Sequence, residues 1–256
     1  MKSISGTVIT FNEEDHIADC IGSLRRVCDN VVVVDSLSTD RTVEIAESLG
    51  AVVIKQEYLG EGKQRQVTER YAQHEWILAL DADERMDDEM CAAIESLTLD
   101  DPQIGYSFNR KSFVGQHWID GPGFYPDYIT RLYNNKYSSY DSKYAHADVV
   151  APNIDVVPGH ILHYTYDDLT DWIAKINQWT SLDAVGMFEA GRPPSAWKPT
   201  LSAIASLFRK MILKGGLFRG ADARTIAVTS VFRSYMKYHK LNELHEKATS
   251  ESARSE

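Results

Sequence analysis

The sequence is poor in cysteine, and its three, Cys20, Cys28 and Cys91, form no C-x-x-C pair. An odd number at wide spacing excludes a disulfide framework and reads as small buried hydrophobes in a reducing compartment. Long apolar runs are missing too. No segment reaches the roughly 18 consecutive apolar residues of a spanning helix. Met1-Lys2-Ser3-Ile4 leads through a short apolar stretch into Glu13-Glu14-Asp15, which is not the pattern of a signal peptide, so a cytosolic protein is expected. Positive charge is short overall: 27 Lys and Arg against 37 Asp and Glu give a net charge of −10, which argues against acidic partners, nucleic acid among them.

That deficit is uneven. Residues 192–240 hold ten Lys or Arg and one acid, Asp222, so this segment carries +9 and the remainder −19. An acidic globular part followed by a basic, apolar, periodic segment suggests a catalytic domain with a surface for anionic lipid. The expected division is a domain over residues 1–190, a basic amphipathic helical extension over 191–244 that lies on a membrane surface, and a polar, disordered tail over 245–256. Gly191-Arg192-Pro193-Pro194 marks the first boundary.

In the first half, short apolar runs alternate with helical patterns, the signature of a parallel sheet covered by helices. Thr7–Phe11, Val31–Val34, Ala51–Lys55 and Trp76–Leu80 read as strands, and the four β-branched residues of the second suit a strand buried on both faces. Ile17, Cys20, Ile21 and Leu24 fall at helical spacing. Beyond residue 100 the pattern turns to strands at Ile104–Arg110, Tyr128–Tyr133, Asp148–Val157 and Ile161–Tyr166, followed by a helix from Asp167-Asp168 to Glu189. In the extension, Leu201, Ile204, Ala205, Phe208, Met211 and Ile212 form a stripe of 3.6-residue period, and Val228, Val231, Phe232 and Tyr235 form a second. No internal repeat is present.

Ligands of open α/β sheets sit beyond the carboxyl ends of the strands. Acidic groups stand at three such ends: Glu13 and Glu14, Asp35, and the pair Asp81 and Asp83 after the buried run Trp76–Leu80. Two carboxylates so spaced suit Mg²⁺ or Mn²⁺ holding a diphosphate. A bland alternative is that Asp83 and Glu84 cap the following helix. Gly60-Glu61-Gly62-Lys63-Gln64-Arg65 places cations among glycines but is not a P-loop, since no Ser or Thr follows the lysine.

Together, Thr10-Phe11-Asn12-Glu13-Glu14, Val34-Asp35-Ser36-Leu37-Ser38-Thr39-Asp40, Gly62-Lys63-Gln64-Arg65 and Leu80-Asp81-Ala82-Asp83-Glu84 resemble the successive motifs of glycosyltransferase family 2. Phe124-Tyr125-Pro126-Asp127, Arg131-Leu132-Tyr133, Ile161-Leu162-His163-Tyr164 and the stretch from Lys214 to Gly220 extend the likeness to the bacterial lipopolysaccharide core β-1,4-glucosyltransferase group. The resemblance implies a GT-A fold, a Rossmann-like nucleotide-binding sheet with flanking helices, and single-displacement transfer with inversion. It implies a UDP-sugar donor, first of all UDP-glucose, and a saccharide or glycolipid acceptor, at the inner face of the cytoplasmic membrane. By the same resemblance, Phe11 and Asp35, with Thr10 and Glu13 beside them, hold the nucleotide, and Lys63 and Arg65 face the diphosphate. Asp81 serves the ribose and the metal environment, Asp83 holds the ion, His163 completes the metal site, and Gly121 and Gly123 form a loop near the donor sugar. Where the related group has Val-His-Glu, this chain reads Ala145-His146-Ala147-Asp148, so the general base is assigned to Asp148, with Asp127 in reserve. Two rivals remain: a haloacid-dehalogenase-type phosphatase with Asp81 as nucleophile, which Glu84-Arg85 fits poorly, and a non-catalytic nucleotide-sugar or lipid-surface binding protein on the same fold.

Overall fold

The structure, a computed structural model, describes residues 3–254 apart from 122, 214 and 219. Pro122, Lys214 and Arg219, which belong to stretches singled out above, thus lie outside the described residues. In chain order the elements are β1 (Ile4–Thr10), α1 (Ile17–Leu24), β2 (Asn30–Asp35), α2 (Thr42–Ser48), β3 (Val52–Lys55), α3 (Glu61–Tyr71), β4 (Trp76–Asp81), β5 (Glu84–Met86), α4 (Asp88–Ser96) and β6 (Ile104–Val114). There follow β7 (His117–Trp118), β8 (Tyr128–Asn134), β9 (Ser139–Tyr140), β10 (Val149–Val150), β11 (Asn153–Tyr166), α5 (Leu169–Glu189), α6 (Lys198–Phe208), a π-helical turn (Arg209–Leu213), a 3-10 turn (Gly216–Phe218) and α7 (Gly220–Arg254).

The main sheet has the order β3-β2-β1-β4-β8-β6-β11-β5, with β7 paired to β6. β1 runs parallel to both β2 and β4, and β2 parallel to β3, whereas β4–β8, β8–β6 and β11–β5 are antiparallel. The order therefore reverses between β1 and β4, which opens a crevice beyond their carboxyl ends. This is the α/β arrangement expected of a GT-A domain. Val31, Val32, Val33 and Val34 are buried because helices and neighbouring strands cover both faces, and Ile17, Cys20, Ile21 and Leu24 of α1 join the same core. All three cysteines are buried and free.

The chain divides into two compact units, residues 1–112 with 126–165, and residues 113–125 with 166–256. This division differs from the boundary expected at residue 190, in that residues 166–190 group with the helices that follow them. The cause is α5, whose Trp172 and Ile176 pack with Ile226 of α7 and with Ile119 in one apolar cluster of the second unit.

Three further expectations change. Glu84 does not cap a helix: it begins β5, which pairs with β11, and the cap of α4 is Asp87, whose side chain accepts from the Met90 N–H. Of the strand expected at Asp148–Val157, Val149–Val150 form the separate β10, and the part from Asn153 merges with Ile161–Tyr166 into the long β11 because Pro158-Gly159 does not break the chain. Gly159 has φ +97°, and a Cβ there would stand 2.2 Å from the Met90 nitrogen, so only glycine lets the strand pass α4 so closely. Of the tail expected to be disordered over 245–256, the residues up to Arg254 continue α7, and 255 and 256 lie outside the described residues. Its hydroxyls bond back along the helix, Thr249 to the His245 carbonyl (2.9 Å) and Ser250 to that of Glu246 (2.8 Å), and the His245 ring meets Phe188 edge-on at 4.8 Å.

The helices of the extension form where expected, and α6 carries its apolar stripe outward. α6 packs on α7 through Pro199 and Ala203, which are buried, and leaves Leu201, Ile204 and Phe208 exposed. α7 buries Ala223, Ile226 and Ala227 and exposes Val228. No helix among the described residues is long and apolar enough to cross a membrane.

Candidate active site

The crevice rim is built from two loops that hold each other. In the loop after β1, Asn12 sits at φ +53° and Leu37, in the loop after β2, at +68°. Such left-handed positions are costly for side chains other than glycine and persist where surrounding bonds fix them. Here they do. The Asn12 N–H donates to Ser38 Oγ (2.8 Å), Thr39 N–H to Asn12 Oδ1 (2.8 Å), Glu13 N–H to Thr42 Oγ1 (2.7 Å) and Arg41 N–H to Glu14 Oε2 (3.1 Å). Asp35 is buried at the tip of β2, and both its oxygens accept from Ser38, from the N–H at 2.9 Å and from the hydroxyl. Thr10 Oγ1 is buried without a hydrogen-bond partner among the described residues, and Phe11 and Leu37 are exposed. The rim is thus pre-formed, with an apolar lip.

Deeper in the crevice lies a charge network. Arg65 of α3 pairs with one Asp81 oxygen, and Arg131 of β8 bonds the other at 2.7 Å. Arg131 also reaches both oxygens of Glu84 at 2.7 Å and the Tyr140 hydroxyl at 3.1 Å. Glu84 is 0 % exposed; it accepts the Asp81 N–H (3.0 Å) and lies 3.4 Å from Arg110. Burial alone would raise the Asp81 carboxyl, but the guanidiniums of Arg65 and Arg131 hold it well below the usual carboxylate range. Burial equally works against the charge on Arg131, and Glu84 and Asp81 more than compensate, so its pKa rises well above normal. Asp81 is therefore a clamped acceptor with both oxygens engaged. A phosphatase nucleophile attacks through one such oxygen, so the two arginines argue against that rival.

Asp83 faces a different partner. Its Oδ2 lies 3.1 Å from Nε2 of His163, whose Nδ1 lies 3.1 Å from Thr165 Oγ1. Burial disfavours the charged imidazole, but the neighbouring Asp83 carboxylate and its hydrogen bond outweigh that, so the His163 pKa is raised. The expected partnership of Asp83 with His163 is present in space. A carboxylate oxygen and an imidazole nitrogen, with the second imidazole nitrogen held by a hydroxyl, fit a divalent ion such as Mn²⁺. Asp81, spoken for by two arginines, fits it less well. A separate group, Asp87, Glu89 and His160, also brings three ligand atoms within 4.8 Å of one another. There, however, Asp87 already caps α4 and bonds the His160 ring at 3.0 Å.

Other expected residues have other work. Arg65 is buried and paired with Asp81 and with Glu61 (3.2 Å), so it is a network cation; Lys63 is exposed. Gly60 and Gly62 are glycines because a loop crosses them: the N–H groups of Glu61 and Gly62 donate to the carbonyls of Tyr144 (2.8 Å) and Lys143 (3.0 Å), and a Cβ on Gly62 would meet the Asp141 oxygen at 1.8 Å. The first amides of α3 are thereby used internally. Gly121 is likewise shaped by packing, since a Cβ would stand 2.4 Å from Ile226 Cδ1, and Gly123 turns the chain at φ +89°.

Of the two expected bases, Asp148 is 76 % exposed and pairs with Lys143 at 3.1 Å. Ala147 instead turns inward, its N–H donating to Glu61 Oε2 (3.3 Å). Asp127 accepts two bonds from Arg110 (2.9 and 2.7 Å), and Arg110 reaches Glu84. Asp127, not Asp148, is thus tied to the network.

The residues that sequence reasoning missed are Glu84, Arg110 and Arg131. Arg131-Leu132-Tyr133 was visible as a motif, but nothing in one dimension says that its arginine crosses the sheet to an aspartate fifty positions away.

The profile of glycosyl transferase family 2 matches residues 7–141, more than half the chain and all of the rim and the Asp81–Asp83 segment. A protein of Rickettsia bellii described as an uncharacterized glycosyltransferase is 31 % identical over 95 % of this chain and 87 % of its own length. The lipopolysaccharide core biosynthesis glycosyltransferase LpsC of Rhizobium meliloti is 27 % identical over 93 % of this chain and 92 % of its own. Among solved structures, S. aureus TarS 1–349 in complex with UDP is similar at 16 % identity with a TM-score of 0.47, covering 96 % of this chain and 92 % of that one. With the profile match and full-length relatives in agreement with the crevice, the chain belongs to glycosyltransferase family 2.

Proposed function

We propose that this glycosyltransferase moves a hexose, glucose first of all, from a UDP-sugar to a saccharide or glycolipid acceptor with inversion, and that the acceptor is a lipopolysaccharide core. The observation that carries the reading is the Asp83–His163 pair at the carboxyl end of the parallel strands, beside an Asp81 locked by two arginines. Phe11 and Leu37 offer apolar surface to the base of the donor, and the Thr10 hydroxyl, next to Phe11 in the chain, is buried without a partner among the described residues. Asp83 and His163 hold Mg²⁺ or Mn²⁺, which when bound supplies positive charge against the leaving diphosphate. The network around Arg131 and Glu84 fixes the β4–β5 turn, so that Asp83 is aimed before donor arrives. Asp127 takes the proton of the acceptor hydroxyl, and Asp148 is the alternative base. The lipopolysaccharide acceptor is supported by the likeness to LpsC, and work at the inner face of the membrane by the +9 charge of residues 192–240.

Replacing Asp83 by Ala tests this. Metal-dependent transfer from UDP-glucose should vanish while thermal unfolding stays close to wild type, and retention of wild-type turnover with metal present would refute the site.

A further inference from the structure

An amphipathic helix of a globular protein ordinarily buries its large apolar residues. α6 does the reverse. Its small residues, Pro199 and Ala203, face α7, and its large ones face solvent: Leu201 at 60 % and Ile204 at 59 % exposure, continued by Phe208, by Leu213 in the π-helical turn and by Phe218 at 89 % in the 3-10 turn. Trp197, at 73 %, stands at the head of the helix. These six residues belong to consecutive elements of one unit, and solitary exposed apolar residues need no explanation whereas a run of them does.

Charge identifies the occupant. Residues 190–221 contain no acid and six Lys or Arg, in a chain whose net charge is −10. Of these, Lys198 and Arg209 are exposed at the two ends of the α6 stripe. A second copy docked on this face by a two-fold axis would bring like cations together. An anionic lipid surface instead takes the apolar side chains into the headgroup and acyl boundary, the cations against phosphates, and the tryptophan at the interface.

We propose that the outward face of α6 and the following turns, from Trp197 to Phe218, is a lipid-insertion surface for anionic membranes. The inference deepens the membrane part of the function proposed above. It narrows attachment to α6 and its turns and leaves α7 as the support on which they rest.

The test is co-sedimentation of the full chain with vesicles of phosphatidylcholine alone and of phosphatidylcholine with phosphatidylglycerol. Wild type should bind the anionic vesicles at least tenfold more tightly than the neutral ones, with quenching of Trp197 by brominated lipid that is lost in Trp197→Phe. Ile204→Asp with Phe208→Asp should lower binding at least tenfold, and Lys198→Gln with Arg209→Gln should remove most of its salt sensitivity. UDP-glucose hydrolysis by these variants should match wild type. Unchanged vesicle binding by Ile204→Asp with Phe208→Asp would overturn the proposal, and so would a wild-type dimer in gel filtration that these changes dissociate. Vesicle binding without any sugar transfer would sink the enzymatic reading and leave this surface standing.

Discussion

The two units break opposite rules. The first buries charge, with Arg65, Arg131 and Glu84 all shielded from solvent, and the second exposes apolar surface along α6. Buried ions cost several kcal/mol each unless every oxygen and guanidinium finds a partner, and an exposed apolar face forgoes about 25 cal/mol per Å² that burial would have contributed. Neither arrangement is what stability alone would select. Such departures are expected where function, not stability, sets the residues, and the proposed donor site and the proposed lipid surface each account for one of them.

The comparison can be broken first at the base. If Asp127 belongs to the network and Asp148 only to the surface, Asp127→Asn should lower acceptor-dependent turnover by about 10²–10⁴ with donor affinity kept, while Asp148→Asn stays near wild type. The opposite ranking in steady-state assays would move the base to the 141–148 loop. Next in size is stability. Arg131→Met strands Glu84 and one Asp81 oxygen, so denaturant unfolding should show a loss of about 3–5 kcal/mol. Lys143→Met, which removes an exposed pair with Asp141 and Asp148, should leave the unfolding midpoint close to wild type. Equal losses would mean that burial does not distinguish the two regions.

The smallest effect concerns pH. Burial of Glu69 raises its pKa against the opposing hydrogen bond from the Tyr133 hydroxyl (2.7 Å). A raised carboxyl contributes stability that is complete below its unfolded value, about 4.3, and is lost as pH rises through the folded value. Glu69→Gln keeps an acceptor for Tyr133 without the charge. It should therefore match wild type near pH 4 and exceed it at pH 7 by less than about 1 kcal/mol, measured by urea unfolding at both pH values. An advantage confined to acid would reverse the assignment.

What the sequence made legible follows the same division. The parallel half could be read because Val31–Val34 and Trp76–Leu80 are continuous apolar runs ended by aspartates, and burial on both faces leaves that mark. Asp81 and Asp83 stood out just beyond such a run, whereas His163 was named through the family resemblance and not through the pattern of its strand. The partners of Asp81 could not, because Arg65 and Arg131 come from a helix and a strand sixteen and fifty positions away. Periodicity also located the α6 stripe but not its direction. A 3.6-residue stripe says that one face is apolar, and only the packing of Pro199 and Ala203 on α7 says which face is left outside. Polarity alone does not separate a disordered tail from a helix end, since serine and threonine can bond back to the helix that carries them.

The central claim is that Asp83 and His163, with Asp81 held apart by arginines, form the metal site of the donor. Calorimetric titration of Mn²⁺ in the presence of UDP tests it most directly, comparing wild type with Asp83→Asn and His163→Gln. Each variant should bind Mn²⁺ at least about tenfold more weakly while its unfolding midpoint stays close to wild type. Wild-type Mn²⁺ affinity in both would contradict the account.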